Sequence, residues 1–99
     1  TIFVPVDEVD WIEAFQNYIR LHAGHTTHLL HVPMNTIETV LDSDHFLRIH
    51  RSHIVNLRRI AQLWSIAHGQ YVIELKSGQR LHSGRTYGER IRGKLTNPF

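Results

Sequence analysis

The most informative stretch of the sequence spans residues 46–60: Phe46-Leu47-Arg48-Ile49-His50-Arg51-Ser52-His53-Ile54-Val55-Asn56-Leu57-Arg58-Arg59-Ile60. It contains four arginines, two histidines, one serine and one asparagine, and it has no acidic residue. Hydrophobic residues are interleaved with these polar ones, and they include Phe46, Ile49, Ile54, Val55, Leu57 and Ile60. Such residues would fix the backbone in a core while the polar side chains project outwards, as a rigid binding loop requires. Arginine can donate two hydrogen bonds to one guanine, and serine, histidine and asparagine can bind phosphates, so the pattern favours nucleic-acid binding.

The segments on either side of this stretch predict a mainly β fold. Short runs rich in β-branched and aromatic residues, separated by turn residues, are typical of strands. Ala23-Gly24-His25 predicts the loop of a hairpin, and Gln16-Asn17 interrupts an earlier run. The predicted strands cover residues 2–6, 11–15, 18–22, 26–32, 61–66, 71–75 and 79–82.

Two short helices are predicted beside these strands. Asn35 is followed three residues later by Glu38, which is the spacing of a capping box and predicts a helix from Asn35 to Asp42. Residues 56–60 predict one more helical turn. Ser83 is predicted to cap the N-terminus of a last helix, because hydrophobic residues follow it at helical spacing. These residues are Tyr87, Ile91 and Leu95.

The composition indicates one globular domain. The chain has 99 residues, of which 41% are hydrophobic and 20% charged, so residues 1–99 are expected to form a single domain. Its hydrophobic runs are too short to span a membrane. No signal peptide is expected, because the sequence has no charged leader followed by a hydrophobic stretch. Cysteine is absent, which excludes disulfides, thiolate catalysis and cysteine-based zinc sites, and is consistent with a cytoplasmic protein.

Charge is distributed unevenly along the chain. Residues 1–46 carry one cationic residue and seven acidic ones, whereas residues 47–99 carry ten cationic and two acidic residues. This asymmetry suggests a basic surface that binds a polyanion. The alternative is that the acidic and basic segments pair within one fold.

The nine histidines raise the possibility of a metal site. His22, His25, His28 and His31 recur every third residue, and in a hairpin His22 and His28 could face each other. Zinc requires three or four converging ligands, and no carboxylate or thiolate is close in sequence. The favoured interpretation is therefore that these histidines are solvated positions on strands.

No motif predicts catalysis. A Gly-x-Ser-x-Gly sequence, a P-loop and a Gly-x-Gly-x-x-Gly fingerprint are all absent. Asp42 and Asp44 form a carboxylate pair, but their position after the predicted helix favours a turn. We therefore predict that the domain is not an enzyme and has no catalytic residue, metal or cofactor.

The central stretch has the pattern Phe-x-Arg-Ile-His-Arg-Ser-x-Ile-Val-Asn-Leu-x-x-Ile. This pattern resembles the signature of the LytTR family, the DNA-binding output domains of LytR/AlgR-type bacterial response regulators. Two further segments are similar to the family, namely residues 11–22 and residues 78–95. The resemblance implies an elongated ten-stranded β fold with short helices. It also implies that loops enter successive major grooves on one face of DNA at promoter direct repeats.

By position, the resemblance places base contacts at three points. They are the Asn17-Tyr18 loop, Arg51 within His50-Arg51-Ser52, and Arg85. Gly84 departs from the bulkier residue expected before Arg85, which predicts a looser loop.

Three further arginines are candidate DNA contacts with an alternative each. Arg48 could instead pair with Asp42 or Asp44. Arg58 and Arg59 could contact phosphates or form only a solvated helical turn. The full candidate set is Asn17, Tyr18, Arg48, His50, Arg51, Ser52, Arg58, Arg59 and Arg85.

The expected partner is double-stranded promoter DNA, with a receiver or sensor domain in a longer parent regulator of which this would be the C-terminal domain. No membrane partner is expected. The alternative is a β module that does not bind DNA and serves protein interaction or histidine-lined metal binding.

Overall fold

The computed structural model describes residues 4–95, which form eight strands in two sheets and two short α-helices. The strands are β1 Trp11–Phe15, β2 Tyr18–Ala23, β3 Thr26–Leu30, β4 Phe46–His50, β5 His53–Asn56, β6 Ile60–Ser65, β7 Tyr71–Leu75 and β8 Arg80–His82. The helices are α1 Met34–Val40 and α2 Gly88–Leu95, and 3-10 turns occupy Val6–Glu8, Leu57–Arg59, Ala67–Gly69 and Arg85–Tyr87. The prediction of a mainly β fold is confirmed, with eight strands in the described residues rather than ten.

The sheets are antiparallel. The larger one has the order β3-β2-β1-β5-β4 and the smaller one the order β6-β7-β8. The described residues extend 42 × 23 × 22 Å, so the elongated shape that was expected is confirmed. Among these residues, no helix is long and hydrophobic enough to cross a membrane.

Hydrophobic cores lie on both faces of the larger sheet because residues alternate along its strands. In β5, Ile54 packs with Phe46 and Ile12 beneath α1, whereas Val55 packs with the smaller sheet and α2. The larger sheet is therefore held from both sides, and the turns at its ends are attached to a rigid frame.

The predicted strand over residues 2–6 is not confirmed. Residues 2 and 3 lie outside the described part of the chain, and Val6 begins a 3-10 turn. In that turn Glu8 N–H donates to the carbonyl of Pro5 at 3.0 Å, and Val9 N–H donates to that of Val6 at 3.1 Å.

The predicted capping box at Asn35 and Glu38 is wrong. Helix α1 begins one residue earlier, and Pro33 precedes it with no side-chain cap. The side chains of Asn35 and Glu38 instead accept hydrogen bonds from Arg48 on β4. A guanidinium is a stronger donor than a helical N–H, which explains why these side chains turn towards it.

The predicted cap at Ser83 is wrong as well. Ser83 is buried, and its hydroxyl accepts a hydrogen bond from the N–H of Tyr71 at 2.9 Å. Gly84 precedes the 3-10 turn Arg85–Tyr87, and α2 begins only at Gly88. Arg85 therefore lies before the last helix rather than in its first turn.

Candidate nucleic-acid interface

Two exposed turns lie side by side at one end of the larger sheet, where strands β1 and β4 finish. We call this end of the sheet the edge. The β1–β2 turn consists of Gln16 and Asn17, because Phe15 pairs with Tyr18. The β4–β5 turn consists of Arg51 and Ser52. The carbonyl of Ser52 accepts a hydrogen bond from the N–H of Ala14 at 2.9 Å, so both turns project beyond the same strand ends.

The β1–β2 turn presents Asn17 and Tyr18 to solvent. Gln16 adopts the left-handed conformation (φ 56°), which reverses the chain within two residues. The Tyr18 ring lies 4.8 Å from that of His31, which follows β3 at the same edge. The edge therefore presents aromatic and amide groups beside the second turn.

The β4–β5 turn presents Arg51. Its backbone is held from within, because Ser52 N–H donates to Nδ1 of His50 at 3.0 Å. The Arg51 side chain is exposed and makes no hydrogen bond or ion pair with any residue from 4 to 95. A fixed turn with an unpaired guanidinium is well suited to binding an acceptor outside the protein.

Arg85 approaches the same edge from the smaller sheet. Gly84 N–H donates to the carbonyl of Ile49 at 2.8 Å, which attaches this segment to the end of β4. A Cβ atom at Gly84 would lie 3.1 Å from the Tyr87 ring and 3.4 Å from the His50 ring. The glycine thus permits close packing, and the expectation of a looser loop is wrong.

Arg51 and Arg85 differ from the other arginines of the described chain. Both are exposed, and neither side chain has a hydrogen-bond or ion-pair partner among residues 4–95. Most of the others form ion pairs or hydrogen bonds with acidic, histidine or carbonyl groups. The two arginines that are left available lie at the same edge of the molecule.

Arg48 is placed differently. Only 11% of its side chain is exposed, and it forms an ion pair at 2.9 Å with Glu38, not with Asp42 or Asp44 as the sequence suggested. It also donates to Asn35 and to the carbonyls of His50 and Arg51. Sequence reasoning missed Asn35 and Glu38 as parts of this site because their spacing equally fits a capping box.

Arg58 and Arg59 are not brought to this edge. Strand β5 runs from His53 to Asn56, so the 3-10 turn after it lies at the opposite end of the sheet. Nη2 of Arg58 lies 2.9 Å from Nε2 of His45. Nε of Arg59 lies 3.6 Å from Asp10, which also accepts from Gly24 N–H in the β2–β3 turn.

Two histidines beneath the β4–β5 turn are shifted in pKa. Burial lowers the pKa of His50 below its ordinary value of 6.5, and the charges of Arg51 and Arg48 lower it further. Burial also lowers the pKa of His53, with a further contribution from His50 and an opposing one from Glu13. The two rings lie 4.8 Å apart, and neutral imidazoles avoid placing more positive charge beside the arginines.

The suggestion that His22 and His28 face each other across the hairpin, as a histidine metal site would need, is wrong. His22 is opposite Thr27, and His28 is opposite Leu21, so His22 and His28 lie on different faces of the sheet. Nε2 of His22 lies 2.8 Å from Glu13, and its ring stacks on Trp11 at 4.2 Å. Over residues 4–95, no three metal-binding side chains come together.

Comparison with known proteins agrees with this geometry. Residues 1–96 match the family model described as the LytTr DNA-binding domain. A solved chain from Bacillus cereus, described as the LytTr DNA-binding domain of a protein assigned as a methyl-accepting/DNA response regulator, has a similar structure. The TM-score is 0.90 at 27% sequence identity, and the match covers 97% of this chain and 88% of that one. In the comparison with curated proteins, nothing matches.

Proposed function

Because the chain belongs to the LytTR family of DNA-binding domains, we propose that it recognises specific sequences in promoter DNA on behalf of a bacterial transcription regulator. One observation carries this proposal: the two exposed arginines without a partner among residues 4–95 lie towards the same end of the larger sheet. Arg51 lies in the turn next to the β1–β2 turn, and Arg85 directly follows Gly84, whose N–H donates to Ile49 on β4. An exposed guanidinium with no partner in the protein keeps its N–H donors available for strong, charge-assisted hydrogen bonds to acceptors on DNA.

The proposal gives each residue at the edge a role. Arg51 and Arg85 donate two hydrogen bonds each to guanine in the major groove, which is the commonest specific contact in protein–DNA complexes. Asn17 and Tyr18 form the third contact. His50 and Ser52 contact phosphates beside Arg51, and such contacts set the register of the protein on the duplex.

The three proposed contact points follow one another across one end of the larger sheet, in the order β1–β2 turn, β4–β5 turn and the segment beside β4 that carries Arg85. This arrangement supports binding along one face of the duplex, with the turns in successive major grooves of a promoter direct repeat. Arg58 and Arg59 are assigned no base contact, because they lie at the other end of the sheet. They are assigned no phosphate contact either, for the same reason.

The wider setting is part of the same proposal. The domain, residues 1–99, serves as the output domain of a longer cytoplasmic regulator of a two-component system, in which a receiver or sensor domain controls it. It binds DNA and catalyses no reaction. Family membership supports DNA binding, and the Bacillus cereus chain of similar structure is described as the DNA-binding domain of a response regulator.

The test begins with selection of preferred duplexes from a randomised pool. Affinities for the selected duplex and for random duplex are then measured for the parent domain and for Arg51→Ala. The expected loss is about 1–3 kcal/mol for the selected duplex, with relaxed preference at one base pair. The matched control is Lys76→Ala, which removes another exposed cation without a partner among residues 4–95, beside Arg59 and therefore far from the Arg51 turn.

A domain that selects no sequence would contradict the proposal and favour the alternative of a protein-interaction module. Equal losses for Arg51→Ala on selected and random duplex would reduce Arg51 to a phosphate contact.

A further inference from the structure

Arg48 lies behind the turn that presents Arg51. Its Nε donates to the carbonyl of His50 at 3.3 Å, and one Nη2 proton is directed at the carbonyl of Arg51. The two carbonyls belong to consecutive residues of the same turn, so a single planar guanidinium fixes the orientation of both peptide groups.

The other side of the Arg48 guanidinium is held by α1. Nη1 donates to Oδ1 of Asn35 at 2.6 Å and to Oε1 of Glu38 at 2.9 Å. Four of its five N–H groups are therefore directed at acceptors within the protein. Since its side chain is also only 11% exposed, Arg48 could contact DNA only by abandoning these acceptors.

Glu38 extends this connection to the segment that carries Arg85. Its second oxygen, Oε2, accepts from Nη1 of Arg90 on α2 at 3.3 Å. The Arg90 guanidinium lies 5.0 Å from the centre of the Tyr87 ring, in the same 3-10 turn as Arg85. One carboxylate thus joins the supports of both available arginines.

We propose that Arg48 and Glu38 are positioning residues that determine base specificity by fixing Arg51, and that Glu38 and Arg90 fix its spacing from Arg85. The inference rests on the proposed function. Base discrimination by an arginine that donates two hydrogen bonds depends on how accurately its guanidinium is positioned. Residues that restrict the conformation of the Arg51 turn therefore increase discrimination without contacting DNA themselves.

The test is a double-mutant cycle between Arg48→Lys and Arg51→Ala. Lysine keeps the positive charge but cannot hold the two carbonyls and Glu38 together. Each variant is titrated with the selected duplex, with a duplex changed at the base pair assigned to Arg51, and with random duplex.

Arg48→Lys should reduce discrimination at that base pair by about two- to a hundredfold, the range of coupling between residues in contact. It should not change affinity for random duplex, and in the Arg51→Ala background it should have no further effect. The matched control is Arg59→Lys, an ion-paired arginine at the opposite end of the sheet, which should leave discrimination unchanged.

The outcomes separate the two proposals. Additive losses, together with weaker binding of random duplex by Arg48→Lys, would make Arg48 a direct DNA contact and overturn this inference. If Arg51→Ala itself leaves discrimination intact, the proposed function fails before the inference is reached.

A second variant guards against a folding defect in Arg48→Lys. Glu38→Gln keeps an acceptor for Arg48 but removes the charge that holds both arginines, and it lies on a half-exposed surface of α1. It should weaken discrimination at the base pairs assigned to Arg51 and to Arg85 together, whereas Arg90→Ala should affect only the latter. Unchanged discrimination in a folded Glu38→Gln variant would refute the bridging role.

Discussion

The hydroxyl of Ser83 and the N–H of Tyr71 form a buried hydrogen bond of 2.9 Å, and the N–H of Ser83 donates in return to the carbonyl of Tyr71 at the same distance. Ser83 therefore continues the pairing of β7 beyond the end of β8. Its backbone extends the pairing, while its side chain satisfies a buried donor of Tyr71 that strand β8 does not reach.

Ser83→Ala should lower the free energy of unfolding by about 1–3 kcal/mol, because it leaves the Tyr71 N–H buried without an acceptor. Chemical denaturation of both proteins measures the difference. Ser77→Ala is the matched control, since its hydroxyl accepts from Gln79 N–H at an exposed turn and should change stability by less than about 0.5 kcal/mol. Equal effects of the two substitutions would contradict the role assigned to Ser83.

Ser83 also shows where sequence analysis fails. A serine before a run with helical spacing predicts an N-cap, but the hydroxyl of Ser83 accepts instead from the N–H of Tyr71, which is 12 residues away in the sequence. The same applies to Asn35, whose acceptor is used by Arg48 from a strand 13 residues further on. Local spacing predicts that a cap is possible, whereas tertiary contacts decide whether it forms.

The features that were predicted correctly depend on local pattern. The hairpin around Gly24 and the helical turn within residues 56–60 follow from turn chemistry. In the structure Asn56 caps that turn, because its side chain accepts from Arg58 N–H at 3.0 Å. Arg48, Arg51 and Arg58 share one basic stretch, yet the chain reverses between them. The hairpin places Arg51 at one end of the sheet and Arg58 at the other. The spacing of the arginines in the sequence does not predict that Arg48 and Arg58 have partners within the protein whereas Arg51 has none among residues 4–95.

Arg85→Ala should leave stability nearly unchanged while it weakens specific binding. The Arg85 side chain is exposed and has no partner among residues 4–95, so the free energy of unfolding should change by less than about 0.5 kcal/mol. Affinity for the selected duplex should fall at least about tenfold, or ~1.4 kcal/mol. Thermal melting and a binding titration on this variant and on Lys76→Ala provide the comparison.

If Arg85→Ala were less stable but bound normally, Arg85 would have only a structural role. That result would remove the Arg85 contact from the proposed interface.

DNA affinity should depend steeply on salt. About four to six phosphate contacts would displace condensed counterions and give a slope of roughly −4 to −5 for log K against log salt concentration. Titrations at several salt concentrations measure this slope. A value flatter than about −2 would mean that the basic half of the chain is not the contact surface.

The same titrations test the placement of Arg58. Loss of a phosphate contact reduces the slope by about 1, and Arg58→Ala should leave it unchanged because Arg58 lies at the opposite end of the sheet. A reduced slope for Arg58→Ala would show that the duplex extends to that end.

The free energy of unfolding should decrease as the pH is lowered from about 7.5 to 5, and His50 and His53 should account for part of the decrease. Burial lowers the pKa of both histidines in the folded protein, so the unfolded chain binds protons more readily. Their contribution to stability is complete above 6.5, the ordinary pKa of histidine, and is lost as the pH falls through the lowered pKa values. Protonation of His50 at Nδ1 also removes the acceptor for Ser52 N–H, which loosens the turn that carries Arg51.

Denaturation across this pH range should therefore give a shallower profile for His53→Gln than for the parent, whereas His25→Gln, at the exposed β2–β3 turn, should reproduce the parent profile. A His53→Gln profile as steep as that of the parent would show that proton uptake on unfolding occurs elsewhere.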